Sequence, residues 1–207
     1  MCFVALKIIL FSTLIFVMTG CLSEKAKTKT YPTYAPQITT GKSTNVTSVS
    51  STQTKSSSMS VIVEVTRVID GDTIEVLFRN GDTDKVRLLA IDTPEIGSAN
   101  KPNKFKGVTD IECLHDWGVK AYEKAKSTLE GKDVTLIFDE LSGRRGYYDR
   151  LLAYVDMSGI DFNETLIDGG YARVYEEGNS SRKQSYLLKQ EQGIKYGKGL
   201  WGTCSSK

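Results

Sequence analysis

Three apolar, β-branched runs follow one another early in this chain, and the turns between them are short. Residues 61–69 read VIVEVTRVI and end on DGDT. Residues 74–78 read IEVLF and end on RNGDT, whose Asn80 and Gly81 form a strong hairpin signal. Residues 85–91 read KVRLLAI. Turns this short join antiparallel neighbours, because a parallel return needs a crossover on the order of a dozen residues. An antiparallel meander is therefore the nucleus of whatever this chain folds into.

The rest of the pattern fits around that meander. A polar insertion spans roughly 97–116. After it, Val119, Tyr122, Ala125 and Leu129 recur at helical spacing, and Gly131 stands where a helix would stop. DVTLIF (133–138) and RLLAYVDM (150–157) predict two more strands. DFNETLIDGG (161–170) predicts a short helix opened by an Asp cap, and 180–197 predicts a last helix opened by Ser180 and Ser181. The order is βββαββαα with no internal repeat. It predicts an α+β, mainly β fold: a five-stranded antiparallel barrel of the OB type with three helices, over 60–204.

Ahead of the barrel the composition changes. Residues 1–21 carry Lys7, then an apolar run that closes on VMTGC, which reads as an export signal with a lipobox. Cys21 is the expected lipidation site, which would hold the chain on the outer face of the membrane. An uncleaved apolar anchor and free secretion are the alternatives. Residues 22–59 are rich in Ser, Thr and Lys and too poor in large apolar side chains to fold, so they read as a tether. Their five lysines and one glutamate give +4. The whole chain has 27 Lys and Arg against 25 Asp and Glu, so with Lys7 also set aside residues 60–207 carry −3. Bulk charge announces no partner. Four cysteines are present. Beyond Cys2 and Cys21 there remain Cys113 and Cys204, either a disulfide suited to an exported protein or two separate thiols.

The chemistry concentrates at the strand ends. Asp70 and Asp72 lie in the first turn, Asp92 and Glu95 in the segment RLLAIDTPE, and Arg87 between them. Carboxylates gathered this densely repel unless a positive charge sits among them. Arg87 and Asp92 are five apart, which puts them on opposite faces of a regular strand. They meet at one site only if the strand twists, bulges or ends near Ile91. The single histidine, His115, lies in the insertion, which counts against imidazole-based zinc hydrolysis.

The blocks VIDGDTIEV, VRLLAIDTPE, YYDRLLAYV, GGYARVY and GLWG, in this order, resemble the staphylococcal nuclease (thermonuclease) family over nearly all of 60–204. The resemblance implies an OB barrel with three helices that hydrolyses phosphodiester bonds of DNA and RNA with Ca2+. Carried over by position, Asp72, Asp92 and the Thr93 carbonyl are the expected calcium ligands. Glu95 is the general base, and Arg87 and Arg150 bind the scissile phosphate. Tyr148 is expected on a nucleotide phosphate, and Tyr175 on a base. Asp70 is read as a turn former. A monomer acting on single-stranded or locally open DNA and RNA is expected. Two departures stand out. Gly146, Tyr147 and Asp149 replace an acid, a base and a glycine, and EEGNS is more acidic than the family's base-binding stretch. Both point to weaker substrate affinity or a stronger need for divalent cation. The competing reading is an OB module that binds strands without cutting them. It predicts eroded site residues and a basic domain.

Overall fold

A computed structural model describes residues 59–204. The expected export segment, Cys21 and all of the tether except Met59 lie outside the described residues. The elements are β1 (Ser60–Asp70), β2 (Thr73–Leu77), β3 (Thr83–Leu88), β4 (Ile91–Asp92), α1 (Ile111–Leu129), β5 (Asp133–Ile137), β6 (Leu151–Met157), β7 (Ile160–Asp161), α2 (Phe162–Asp168), β8 (Arg173–Val174), α3 (Lys183–Lys195) and α4 (Leu200–Thr203).

The long first strand makes closure possible. Its first half, from Ser60 to Glu64, pairs with β5, and its second half, from Glu64 to Asp70, pairs with β2. Register shifts after Val65 and after Val68 coil it between the two. β2 pairs with β3 and β5 with β6, and β3 meets β6 to close a five-stranded OB-type barrel. The closing pair, Val86 to Leu88 against Leu151 to Ala153, is parallel rather than antiparallel. A ring with an odd number of strands cannot alternate direction all the way round, so one pair had to be parallel. The barrel is filled by Val65, Ile74, Val76, Val86, Leu88, Leu136, Ala153 and Val155, all nearly inaccessible to water. Burial of this apolar surface, at about 25 cal/mol per Å², is the main stabilising term.

Three expectations change. The run KVRLLAI is two strands rather than one, because Ala90 adopts a left-handed conformation (φ 66°) that breaks it after Leu88. The freed backbone is satisfied elsewhere. The Leu89 N–H donates to the Ala153 carbonyl, buried Asn163 Nδ2 donates to the Leu89 carbonyl, and the Tyr175 N–H donates to the Ala90 carbonyl. Secondly, α1 begins at Ile111, inside the expected insertion. Asp110 caps it by accepting from the Cys113 N–H (3.0 Å), and Leu114 and Trp117 already face inward. The polar residues Glu112, His115 and Asp116 on its outer face disguise that turn as loop. Thirdly, α3 starts at Lys183, later than expected. The Ser181 hydroxyl donates to Asp139 (2.8 Å) instead of capping the helix. α4 is an added short turn.

A second, smaller core lies beside the barrel. Phe105, Val108, Leu114, Trp117, Leu200, Trp201 and Cys204 pack together there, and Cys113 and Cys204 form a disulfide across it. It joins the insertion, α1 and the C-terminal turn.

Candidate active site

The turn between β1 and β2 places the first carboxylates. Asp70 Oδ1 accepts from the Asp72 N–H (3.0 Å), the short-range bond that favours Asp in turns. Burial, and then the charge of Asp72, push the Asp70 carboxyl up to about 7. Asp72 points inward and is 6% exposed. Its Oδ2 accepts from both the Thr93 N–H (2.7 Å) and the Thr93 hydroxyl (3.0 Å), which ties the first turn to the segment after β4.

Breaking the third run at Ala90 resolves the parity problem of Arg87 and Asp92. Arg87 Nη1 lies 2.9 Å from Asp72 Oδ1, and its Nη2 lies 3.1 Å from Asp92 Oδ1. A single guanidinium thus bridges two buried carboxylates. Its planar fork suits that role, and the pairing offsets the cost of burying like charges together. Asp92, also 6% exposed, pairs in register with Arg173 across β4 and β8. Arg173 Nε donates to Asp92 Oδ2 at 2.9 Å. Lys104 Nζ approaches that same oxygen at 3.1 Å.

Glu95 stands apart from this buried set. Its side chain is 41% exposed and lies 3.5 Å from Lys104 Nζ. Its backbone is clamped at both ends by buried Asn100. The Glu95 N–H donates to Asn100 Oδ1 (2.9 Å), and Asn100 Nδ2 donates to the Glu95 carbonyl (2.8 Å). Helix α1 presses from behind. A Cβ on Gly118 would lie 2.6 Å from the Glu95 carbonyl oxygen, and one on Gly71 would lie 2.8 Å from both Ala121 Cβ and Thr93 Oγ1. Only glycine permits either approach.

Arg150 immediately precedes β6, which lies beside β3 in the closed barrel. Its Nη1 donates to Thr73 Oγ1 (3.3 Å), and Thr73 is the cross-strand partner of Arg87. Barrel closure thus brings both arginines to the same end. Tyr148 is 91% exposed in a left-handed turn, its ring 5.5 Å from the Arg150 guanidinium. The half-buried Tyr175 ring lies 5.9 Å from the Arg173 guanidinium. His115 is exposed on α1, 3.7 Å from Asp116.

Lys104, Asn100 and Arg173 belong to this site although the sequence reading passes over them. Arg173 lies in GGYARVY, and its alternation with buried Ala172 and Val174 was the available signal. Lys104 and Asn100 sit in the insertion without any pattern. The donor types are those a hard divalent cation takes, but each carboxylate oxygen of Asp72 and Asp92 is already held by Arg87, Thr93, Arg173 or Lys104. Two buried carboxylates and the Thr93 backbone carbonyl are oxygen donors, and Ca2+ takes six to eight of these at flexible geometry. Among the described residues no group of three or more His, Cys, Asp or Glu forms a metal cage. Protein oxygens would fill only part of the shell, leaving room for water and a phosphate oxygen.

Residues 85–203 match the family model described as staphylococcal nuclease homologue. The chain is 37% identical over 147 residues to an uncharacterized protein of Methanocaldococcus jannaschii, covering 67% of this chain and 70% of that one. It is 40% identical over 134 residues to endonuclease YncB of Bacillus subtilis, covering 63% and 57% respectively. With the thermonuclease of Staphylococcus hyicus it shares 32% identity over 139 residues, 67% of this chain and 74% of that one.

Proposed function

This chain belongs to the staphylococcal nuclease family, and from that premise we propose that it is a calcium-dependent endonuclease hydrolysing phosphodiester bonds of DNA and RNA. The observation that carries the proposal is the Arg87 bridge between buried Asp72 and Asp92, with the exposed carboxylate of Glu95 joined to Asp92 through Lys104. Asp72, Asp92 and the Thr93 carbonyl would hold the ion. Calcium, when bound, supplies positive charge beside a phosphate oxygen.

The remaining work falls to the chain's own side chains. Glu95 is open to solvent and held by its backbone, so its carboxylate can take a proton from a water that attacks phosphorus. The bond from phosphorus to the leaving sugar oxygen then breaks, and that oxygen is protonated from solvent. Arg150, and Arg87 once its fork is released from Asp72 and Asp92, would stay charged and present donors to the oxygens on which negative charge develops. Tyr148, exposed beside Arg150, would contact a nucleotide phosphate.

Cleavage of single-stranded DNA by the purified chain should require calcium and stop on chelation. Glu95→Gln should lower turnover by about 10²-fold or more while calcium still binds, as expected for removal of a general base. Full activity in Glu95→Gln would reject Glu95 as the base. Strand binding without cleavage, in any metal, would favour the non-catalytic module. We further propose that the enzyme works outside the cell, held by lipid on Cys21. Cys21→Ser should shift it from the membrane fraction to the soluble fraction; continued membrane retention would favour an uncleaved anchor instead.

A further inference from the structure

The segment between β4 and α1 brings a cation to the catalytic carboxylates. Lys104 Nζ lies 3.1 Å from Asp92 Oδ2 and 3.5 Å from Glu95 Oε1, with the side chain only 23% exposed. Its position is built. The next residue, Phe105, is fully buried in the smaller core, its ring centroid 6.0 Å from that of Trp201. The Asn103 N–H donates to the Val108 carbonyl, and the Val108 N–H to the Phe105 carbonyl. The Cys113–Cys204 disulfide closes the same core.

Two other cations touch Asp92, and each is committed elsewhere as well. Arg87 is shared with Asp72 and the Leu88 carbonyl. Arg173 is shared with Glu177 and the Val174 carbonyl. The ion-pair partners of Lys104 are Asp92 and Glu95, the expected metal ligand and the expected base.

We propose that Lys104 is a positioning residue that competes with the divalent cation for Asp92 and Glu95. This rests on Asp72 and Asp92 being the metal site. An ammonium is a compact point charge on a flexible stem. Arg173 and Lys104 already share Asp92 Oδ2, and a divalent ion there would add a double charge a few ångströms from both, a repulsion that the flexible lysine stem relieves by moving away. Without metal Lys104 neutralises Asp92 and Glu95 and keeps them in register. With metal it must withdraw. A cavity of about 370 Å³ lined by Asn103, Lys104, Lys106, Arg173, Gln190 and Trp201 gives the stem room to do so while Phe105 stays anchored. Lys104 thereby sets how much calcium the enzyme needs.

The test is calcium titration by calorimetry, without substrate, on the full chain and on Lys104→Gln, Lys104→Met and Lys104→Arg. The two neutral variants should bind calcium about tenfold more tightly, the size expected for losing one partly buried competing charge. The arginine variant should stay near wild type. In calcium-free buffer the neutral variants should melt at lower temperature than wild type, and calcium should abolish that difference. Affinity unchanged or weakened in both neutral variants, with calcium still binding wild type, would overturn the role of Lys104 and leave the metal site standing. Absence of calcium binding by every form would overturn the metal site and this competition together.

Discussion

The backbone of Glu95 is held by a carboxamide. Asn100 is buried, and both ends of its amide are spent on the backbone N–H and carbonyl of Glu95. That two-point clamp uses only the backbone, and the carboxylate, 41% exposed, meets Lys104 at 3.5 Å on one side and solvent on the other. Asn100→Ala removes both bonds and leaves a backbone donor and acceptor to find new partners, at a cost of about 1–3 kcal/mol. If Glu95 is the base proposed above, turnover should fall about tenfold to a hundredfold with KM little changed, because misplacing a base affects the chemical step more than binding. Steady-state kinetics and thermal melts on the variant check this. Wild-type turnover would show that Glu95 needs no such clamp. Ala90 acts at the same scale from the opposite direction. Its left-handed backbone ends β3 and turns Asp92 back toward Arg87, so one non-glycine residue in an uncommon conformation lets two charges five apart in sequence meet.

Helix α1 acts as a buttress. Its inner face carries Gly118 and Ala121 where it crosses the segment after β4 and the turn after β1, and larger side chains there would strike the Glu95 carbonyl or crowd Gly71. Leu114, Trp117, Ala125 and Leu129 fill the remainder of that face. The first turn of α1 is tied to the end of α4 by the disulfide, which links residues 91 apart. On the chain-entropy account, closing a loop of that length stabilises the fold by about 4.6 kcal/mol. The double variant Cys113→Ser with Cys204→Ser should therefore unfold at markedly lower denaturant concentration than the oxidised chain. Reduced wild type should match the variant. Equal stability of oxidised and reduced chains would mean that the smaller core holds without the bond.

At the scale of the whole molecule, a slightly acidic domain gathers cations and carboxylates into one paired cluster at one end of the barrel. Residues 60–207 carry −3, yet Arg87, Arg150, Arg173 and Lys104 converge on one end of the barrel. The sequence by itself determined the β-branched alternation, the hairpin at Asn80 and Gly81, the strand and helix order, and the blocks that identify the family. All of these are set by local periodicity, turn chemistry or fixed short spacing. Only the tertiary structure decided the parallel closure of β3 on β6, the break at Ala90, the capped turn hidden in the insertion, and the arrival of Asn100, Lys104 and Arg173 at Asp92 and Glu95. The physical reason is that a closing pair or an ion pair depends on where distant segments are carried by the fold. An asparagine or lysine in a polar loop has no periodicity to betray its partner until packing, here around Phe105 and the disulfide, fixes where that loop lies.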